Sequence, residues 1–320
     1  MSINSTWSSF TKANITASSF YDYNFFTPVL TSAQYGSTLL VLSFLFTIFQ
    51  CAVLFIICKK EVTADNIAFK ITKHQGFFTL IQLLGHLITS FIIMINVDGE
   101  SLFVSIIGSI IRSSFIVGVL FTFVLTINRF FIVFCFLSFL YDKKSFYHFL
   151  ILLCYIISVI EFTVFVLPSF RLSLDQQYFK WYIIGNFDKI ELVWVLQSKI
   201  IIIILIISFI MHILIMLKMM FLRCLTRGSI ITCNELNFIA YALINFAFCA
   251  IYELGVSGLV NFLKNFEFCS AYLQVFYTVI TGINIIYTYC FVKNIHQDVL
   301  PVLANIVNSN ITKIRPVTSK

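Results

Sequence analysis

Seven apolar runs alternate with short polar segments along the chain, at about residues 36–58, 76–97, 102–134, 146–168, 198–217, 236–260 and 269–292. About 20 apolar residues, at roughly 1.5 Å of rise each, cross the hydrocarbon layer of a bilayer as a helix. Each run is therefore a predicted membrane helix. The separators are turn-like or charged: Lys59-Lys60-Glu61, Asp98-Gly99-Glu100-Ser101 and Tyr141-Asp142-Lys143-Lys144 among them. Residues 169–197 form the longest predicted loop and are rich in aromatics, with Phe170, Trp181 and Trp194. The expected fold is an all-α membrane protein, a seven-transmembrane helix bundle. Its expected parts are a polar tail (1–35), the helical domain (36–292) and a second tail (293–320). The second tail opens with KNIHQDVLPVLANIV, an amphipathic stretch suited to the membrane surface.

Composition agrees with the pattern. The chain of 320 residues is 60% hydrophobic and only 11% charged, against about 25% charged in a soluble domain. A net charge of +7 does not point to nucleic acid, because most of the basic residues lie in loops and act on topology. One set of loops holds 13 Lys and Arg and the other 5, with Lys199 at a boundary. The basic set is expected in the cytoplasm, which puts the amino terminus outside. Two sequons, at Asn4 and Asn14, fit an external, glycosylated tail. No charged segment followed by a short apolar core opens the chain, so no cleavable signal peptide is expected. The nine cysteines have neither zinc spacing nor a CxxC pair and are read as small buried residues. No phosphate loop, HExxH or GxSxG pattern is present, so neither an enzyme nor a metal or other cofactor is expected.

The third run is distinctive. It carries Arg112 near mid-span and Arg129 near its far end, after Asn128. A charge at the centre of a membrane helix costs about 2.5–3.5 kcal/mol on insertion scales and suggests function by default. Arg112, Glu161 and Glu253 all fall about 10–15 Å below the outer surface, counted at the helical rise. Arg112 should therefore have a carboxylate partner. Two readings stay open: a structural ion pair, or a ligand pocket in which Arg112 or a glutamate meets a polar group. Gln50, His86 and Asn284 form a second expected cluster, between helices 1, 2 and 7. Arg129 reads either as a charge anchor whose head snorkels to water or as a switch.

Several stretches carry a family resemblance: Phe69-Lys70-Ile71-Thr72, GFFTLIQLLGHLITS (76–90), LTINRFF (125–131), INFAFCAIYEL (244–254) and TGINIIYTY (281–289). Through these the chain resembles the rhodopsin-like G-protein-coupled receptors and looks closest to the nematode serpentine chemoreceptors, class T. The resemblance spans about residues 35 to 300. It implies that Asn128 and Arg129 fill the family's Asn/Asp-Arg-aromatic switch. It also implies that Asn284 and Tyr287 form the polar end of helix 7, without the proline of the wider NPxxY pattern. His86 falls where an acidic residue of the wider family holds sodium. The kinked Trp-x-Pro of helix 6 and the cysteine at the outer end of helix 3 are missing. These departures suit a divergent chemoreceptor better than a hormone receptor.

The expected function is thus a chemosensory receptor that binds a small external chemical or odorant and activates a heterotrimeric G protein. It would sit in the plasma membrane among its lipids, in the sensory cilia of chemosensory neurons. The alternative is a small-solute transporter or channel, which would show inverted repeats or helices broken at mid-membrane. No internal repeat is visible, and none of the four prolines interrupts a helix centre.

Overall fold

The computed structural model describes residues 31–64, 67–134, 144–177, 179–185, 187–225, 246–255, 272–283 and 285. Five long helices lie among them: α1 Ser32–Ala64, α2 Ile67–Ile95, α3 Leu102–Phe134, α4 Lys144–Val166 and α5 Phe187–Leu225. Two shorter apolar helices follow, α6 Phe246–Gly255 and α7 Tyr272–Ile283. All five long helices contain a stretch long and apolar enough to cross a membrane, so this is a helical membrane protein. Large apolar side chains stand exposed along α1 (Phe44, Phe55), α4 (Phe149, Val159) and α5 (Ile203, Ile210). Water tolerates no such continuous patches, whereas lipid does.

Local chemistry sets the element ends. Helix α1 starts at Ser32, inside the segment expected as tail, because Thr31 and Gln34 form a reciprocal cap. Gln34 Oε1 accepts the Thr31 amide at 3.0 Å, and Thr31 Oγ1 accepts the Gln34 amide at 3.3 Å. Much of 59–75, expected as a loop, is helical, with α1 running to Ala64 and α2 starting at Ile67. That segment has no Gly or Pro to stop a helix. Helix α2 ends at Asn96, whose φ of 57° is the left-handed turn of a Schellman motif. The Val97 amide donates to the Ile92 carbonyl at 3.1 Å, and the Asn96 amide to the Ile93 carbonyl at 3.3 Å. Ser101 then caps α3 by accepting the Val104 amide at 3.3 Å.

The expected loop 169–197 is largely ordered structure instead. Strands β1 (Phe170–Asp175) and β2 (Lys180–Gly185) pair antiparallel, from Phe170 opposite Gly185 to Asp175 opposite Lys180. Helix α5 begins immediately after, at Phe187. The hairpin is pinned to the α2–α3 turn. The Leu174 amide donates to the Gly99 carbonyl at 3.2 Å, and Ser173 Oγ donates to the same oxygen at 2.7 Å. Arg171 donates to the Glu100 carbonyl and Gln176 to that of Val97. Phe179 stacks on Tyr35 of α1, with centroids 4.3 Å apart.

Helix α3 is the axis. It buries residues from Val104 to Asn128, whereas α4 buries only Tyr147, Ile151, Cys154 and Phe165. α3 packs against α2, α4, α5 and β1. A shallow hydrophobic cluster unites Tyr35, Ile92, Val104, Ile111 and Leu174; a second, around Phe78, Phe121 and Tyr147, unites α2, α3 and α4. The hairpin reaches α3 at Gly108, where an added Cβ would sit 2.4 Å from Trp181 Cζ3. Gly108→Val should therefore lower stability by about 1–3 kcal/mol through overpacking. Gly118→Ala, whose Cβ would meet nothing, should leave the melting temperature unchanged or raise it. Thermal unfolding of the two variants in the same lipid checks the contrast.

Candidate functional site

One turn below Gly108, Arg112 meets Glu253 of α6 in a fork. Nη1 donates to Oε2 at 3.1 Å and Nη2 to Oε1 at 3.0 Å. The Glu253 side chain is fully buried and that of Arg112 is 8% exposed. Two parallel charge-assisted bonds suit a guanidinium and a carboxylate, and lysine could not reproduce them. Trp194 of α5 covers the guanidinium, with Cζ 4.7 Å from the ring, and Phe115 lies 5.4 Å away. Of the three guanidinium nitrogens, Nε is the one buried without a hydrogen-bond partner.

Glu161, half-buried on α4 between Cys154 and Phe165, does not join the fork. Gln197 Nε2 of α5 donates to its Oε2 at 2.9 Å. Glu161 still lies within electrostatic range of Arg112. The expected charged trio is therefore gathered in one layer, with Glu253 as the direct partner and Glu161 as a neighbour. Gln197 Oε1 and Ser198 Oγ are buried there without partners.

Beneath this layer lies an aromatic one. Tyr252 and Tyr277 stack at 4.4 Å, and Phe115 meets the edge of each ring, at 5.2 and 5.3 Å. Tyr277 also donates to Gln82 Oε1 of α2 at 3.2 Å. Deeper still, toward the Arg129 end of α3, a cavity of about 80 Å³ is lined by Gln50, Gln75, Thr79, Thr122, Tyr277 and Thr281, among others. Phe115, Val119, Leu205 and Phe246 share its wall with these polar groups, and it is roomy enough for a few waters.

The expected grouping of Gln50, His86 and Asn284 takes another form. Gln50 Nε2 donates to the Gly76 carbonyl at 2.7 Å. His86 lies ten residues further along α2, about 15 Å at the helical rise. There its Nδ1 pairs with Gln274 Nε2 at 3.3 Å, while Tyr35 Oη donates to Gln274 Oε1 at 3.1 Å. α1 and α2 are thus tied at two depths, and α7 joins them at the His86 level. Asn284 and Tyr287, like Asn4 and Asn14, lie outside the described residues.

At the far end of α3, Asn128 is buried, with its Oδ1 unpartnered. Arg129 is half-buried, within electrostatic range of His212 of α5. Next to it, Phe130 and Phe134 pack on Ile215 and Met219 of α5. Among the described residues, no group of three or more His, Cys, Asp or Glu could hold a metal ion.

The residues that sequence reasoning passed over are mostly amides: Gln82, Gln197 and Gln274. An amide buried in an apolar helix seeks a partner on another helix, and that rule finds Gln82 and Gln274. Gln197 and Trp194 fall in the stretch read as a loop. The chain matches no protein-family profile and no curated protein.

Removing one member of the fork strands a buried charge. Arg112→Leu or Glu253→Leu should each cost about 3–5 kcal/mol, and the double variant should recover most of that loss. Denaturant unfolding of the four proteins in detergent closes the cycle. Additive losses would contradict the pairing.

Proposed function

We propose that the protein is a seven-helix chemosensory receptor of the rhodopsin-like kind. In this reading it binds a small external chemical at the Arg112 layer and activates a heterotrimeric G protein through the Arg129 end of α3. The observation that carries the reading is the buried Arg112–Glu253 fork joining α3 to α6. α3 also bears Asn128-Arg129-Phe130 at its other end, in contact with α5. A ligand that changes how α3 and α6 meet has differential affinity for two arrangements, the requirement for any ligand-driven switch. The family resemblance and the topology expected from loop charges support the same assignment. So do the five long apolar helices. The setting proposed is the plasma membrane of chemosensory neurons, in their cilia, with the amino terminus outside and glycosylated.

One observation favours a second reading, solute transport: the cavity between the helices toward the Arg129 end, whose wall includes Gln50, Gln75 and Thr122. The two readings separate in a cell reporter of G-protein activation, run with an odorant panel on wild type and Arg129→Ala at matched surface level. The receptor reading predicts a wild-type response that drops at least about tenfold in the variant, equivalent to about 1.4 kcal/mol of coupling. Equal responses would remove Arg129 from the switch. Solute flux into vesicles without any G-protein response would favour the transporter.

A further inference from the structure

Among the described residues, the charges around Arg112 do not balance. One guanidinium faces two carboxylates, and Glu253 occupies both of its terminal nitrogens. Among the described residues, Glu161 receives only the neutral amide of Gln197. Lys199, the nearest cation along α5, is exposed and lies about 200° round the helix from Gln197. With both glutamates ionised the layer carries an excess negative charge, which is expensive within a membrane.

The unsatisfied atoms have a polarity of their own. Arg112 Nε–H is a buried donor without an acceptor, and Gln197 Oε1 is a buried acceptor without a donor. Both side chains are more than nine-tenths buried. Leaving such groups unpaired forfeits their full desolvation cost. A complementary molecule therefore brings a donor to the Glu161–Gln197 side and an acceptor to the Arg112 side. Charge then decides its class. A protonated amine with a neutral oxygen brings the layer to zero. An amino-acid zwitterion leaves it negative, and an anion adds to the excess.

Resting on the receptor reading, we propose that the subsite between Glu161, Gln197 and Arg112 takes a small monocationic amine that also bears a neutral acceptor oxygen. The ammonium donates to Glu161 and to Gln197 Oε1. The oxygen, a ketone or hydroxyl a few bonds away, accepts from Arg112 Nε–H. Trp194 and Phe115 flank the guanidinium and supply apolar walls. No covalent step is involved.

The test uses the full chain in lipid nanodiscs and reads binding as thermal stabilisation. The probes are phenacylamine and 2-aminoethanol. Their matched controls are 2-hydroxyacetophenone and ethylene glycol, which are neutral, and phenylglycine and glycine, which are zwitterionic. At least one amine is expected to bind about tenfold or more tightly than its controls. Glu161→Gln should erase that preference, and Glu161→Asp should keep part of it. Should Glu161→Gln fail to fold, Gln197→Leu carries the same expectation of weakened amine binding. Preference for the neutral or zwitterionic probes would overturn the proposal. So would an unchanged affinity in Glu161→Gln, or no stabilisation by either amine at millimolar concentration. Because no G protein enters the assay, amine binding without signalling would overturn the receptor reading alone. Signalling by a neutral chemical, insensitive to Glu161→Gln, would overturn this proposal and leave the receptor intact.

Discussion

A guanidinium cannot stay in a membrane interior without a partner, and much of this bundle follows from where Arg112 finds one. Arg112 stands on the most buried helix and reaches Glu253 on α6. The pair sets the rotation of both helices, since a fork with two bonds near 3 Å permits little turning of either one. Trp194 over the guanidinium draws α5 to the same point. The cost of burying the pair is offset only if the geometry holds and the remaining polar atoms are met. One atom, Arg112 Nε, is not met.

The rest of the described structure is stacked along α3 around that layer. Above it, the hairpin 170–185 closes the end of the bundle, tied to Gly99 and seated against Gly108 through Trp181. Below it, Phe115, Tyr252 and Tyr277 separate the charges from a cavity walled by amides, hydroxyls and apolar side chains. At the far end, Arg129 and its aromatic neighbours meet α5. α3 touches every layer, so a change in its contact with α6 can be felt along its length. Packed interfaces of this kind tend to have discrete arrangements rather than a continuum.

The apolar runs were legible because a membrane span needs continuous hydrophobicity, and no short-range detail can hide that. Arg112, Glu161 and Glu253 were legible for the opposite reason: each interrupts such a run. Which glutamate would take the guanidinium was not legible. Both lie at similar depth, and the choice depends on helix rotation, which depth does not encode. The hairpin left a trace, since Phe170-Arg171-Leu172-Ser173-Leu174-Asp175 alternates apolar and polar residues with the period of a strand. Its aromatic partner strand lacks that clean alternation, which let the whole segment pass for a loop. The cap at Thr31 and Gln34 was also written in the sequence, but a hydrophobicity pattern is blind to it. Gln50 and His86 looked like neighbours because both are polar and mid-helix. Antiparallel packing of α1 on α2 instead sets Gln50 against Gly76, far from His86.

The most direct test of the central interaction is a single-particle cryo-electron map of the full chain in lipid, at a resolution that separates side chains. Continuous density should join the Arg112 guanidinium to the Glu253 carboxylate through two contacts near 3 Å, with the Trp194 ring against the guanidinium and Glu161 on Gln197. Arg112 turned onto Glu161, or Glu253 facing lipid or another helix, would contradict the account.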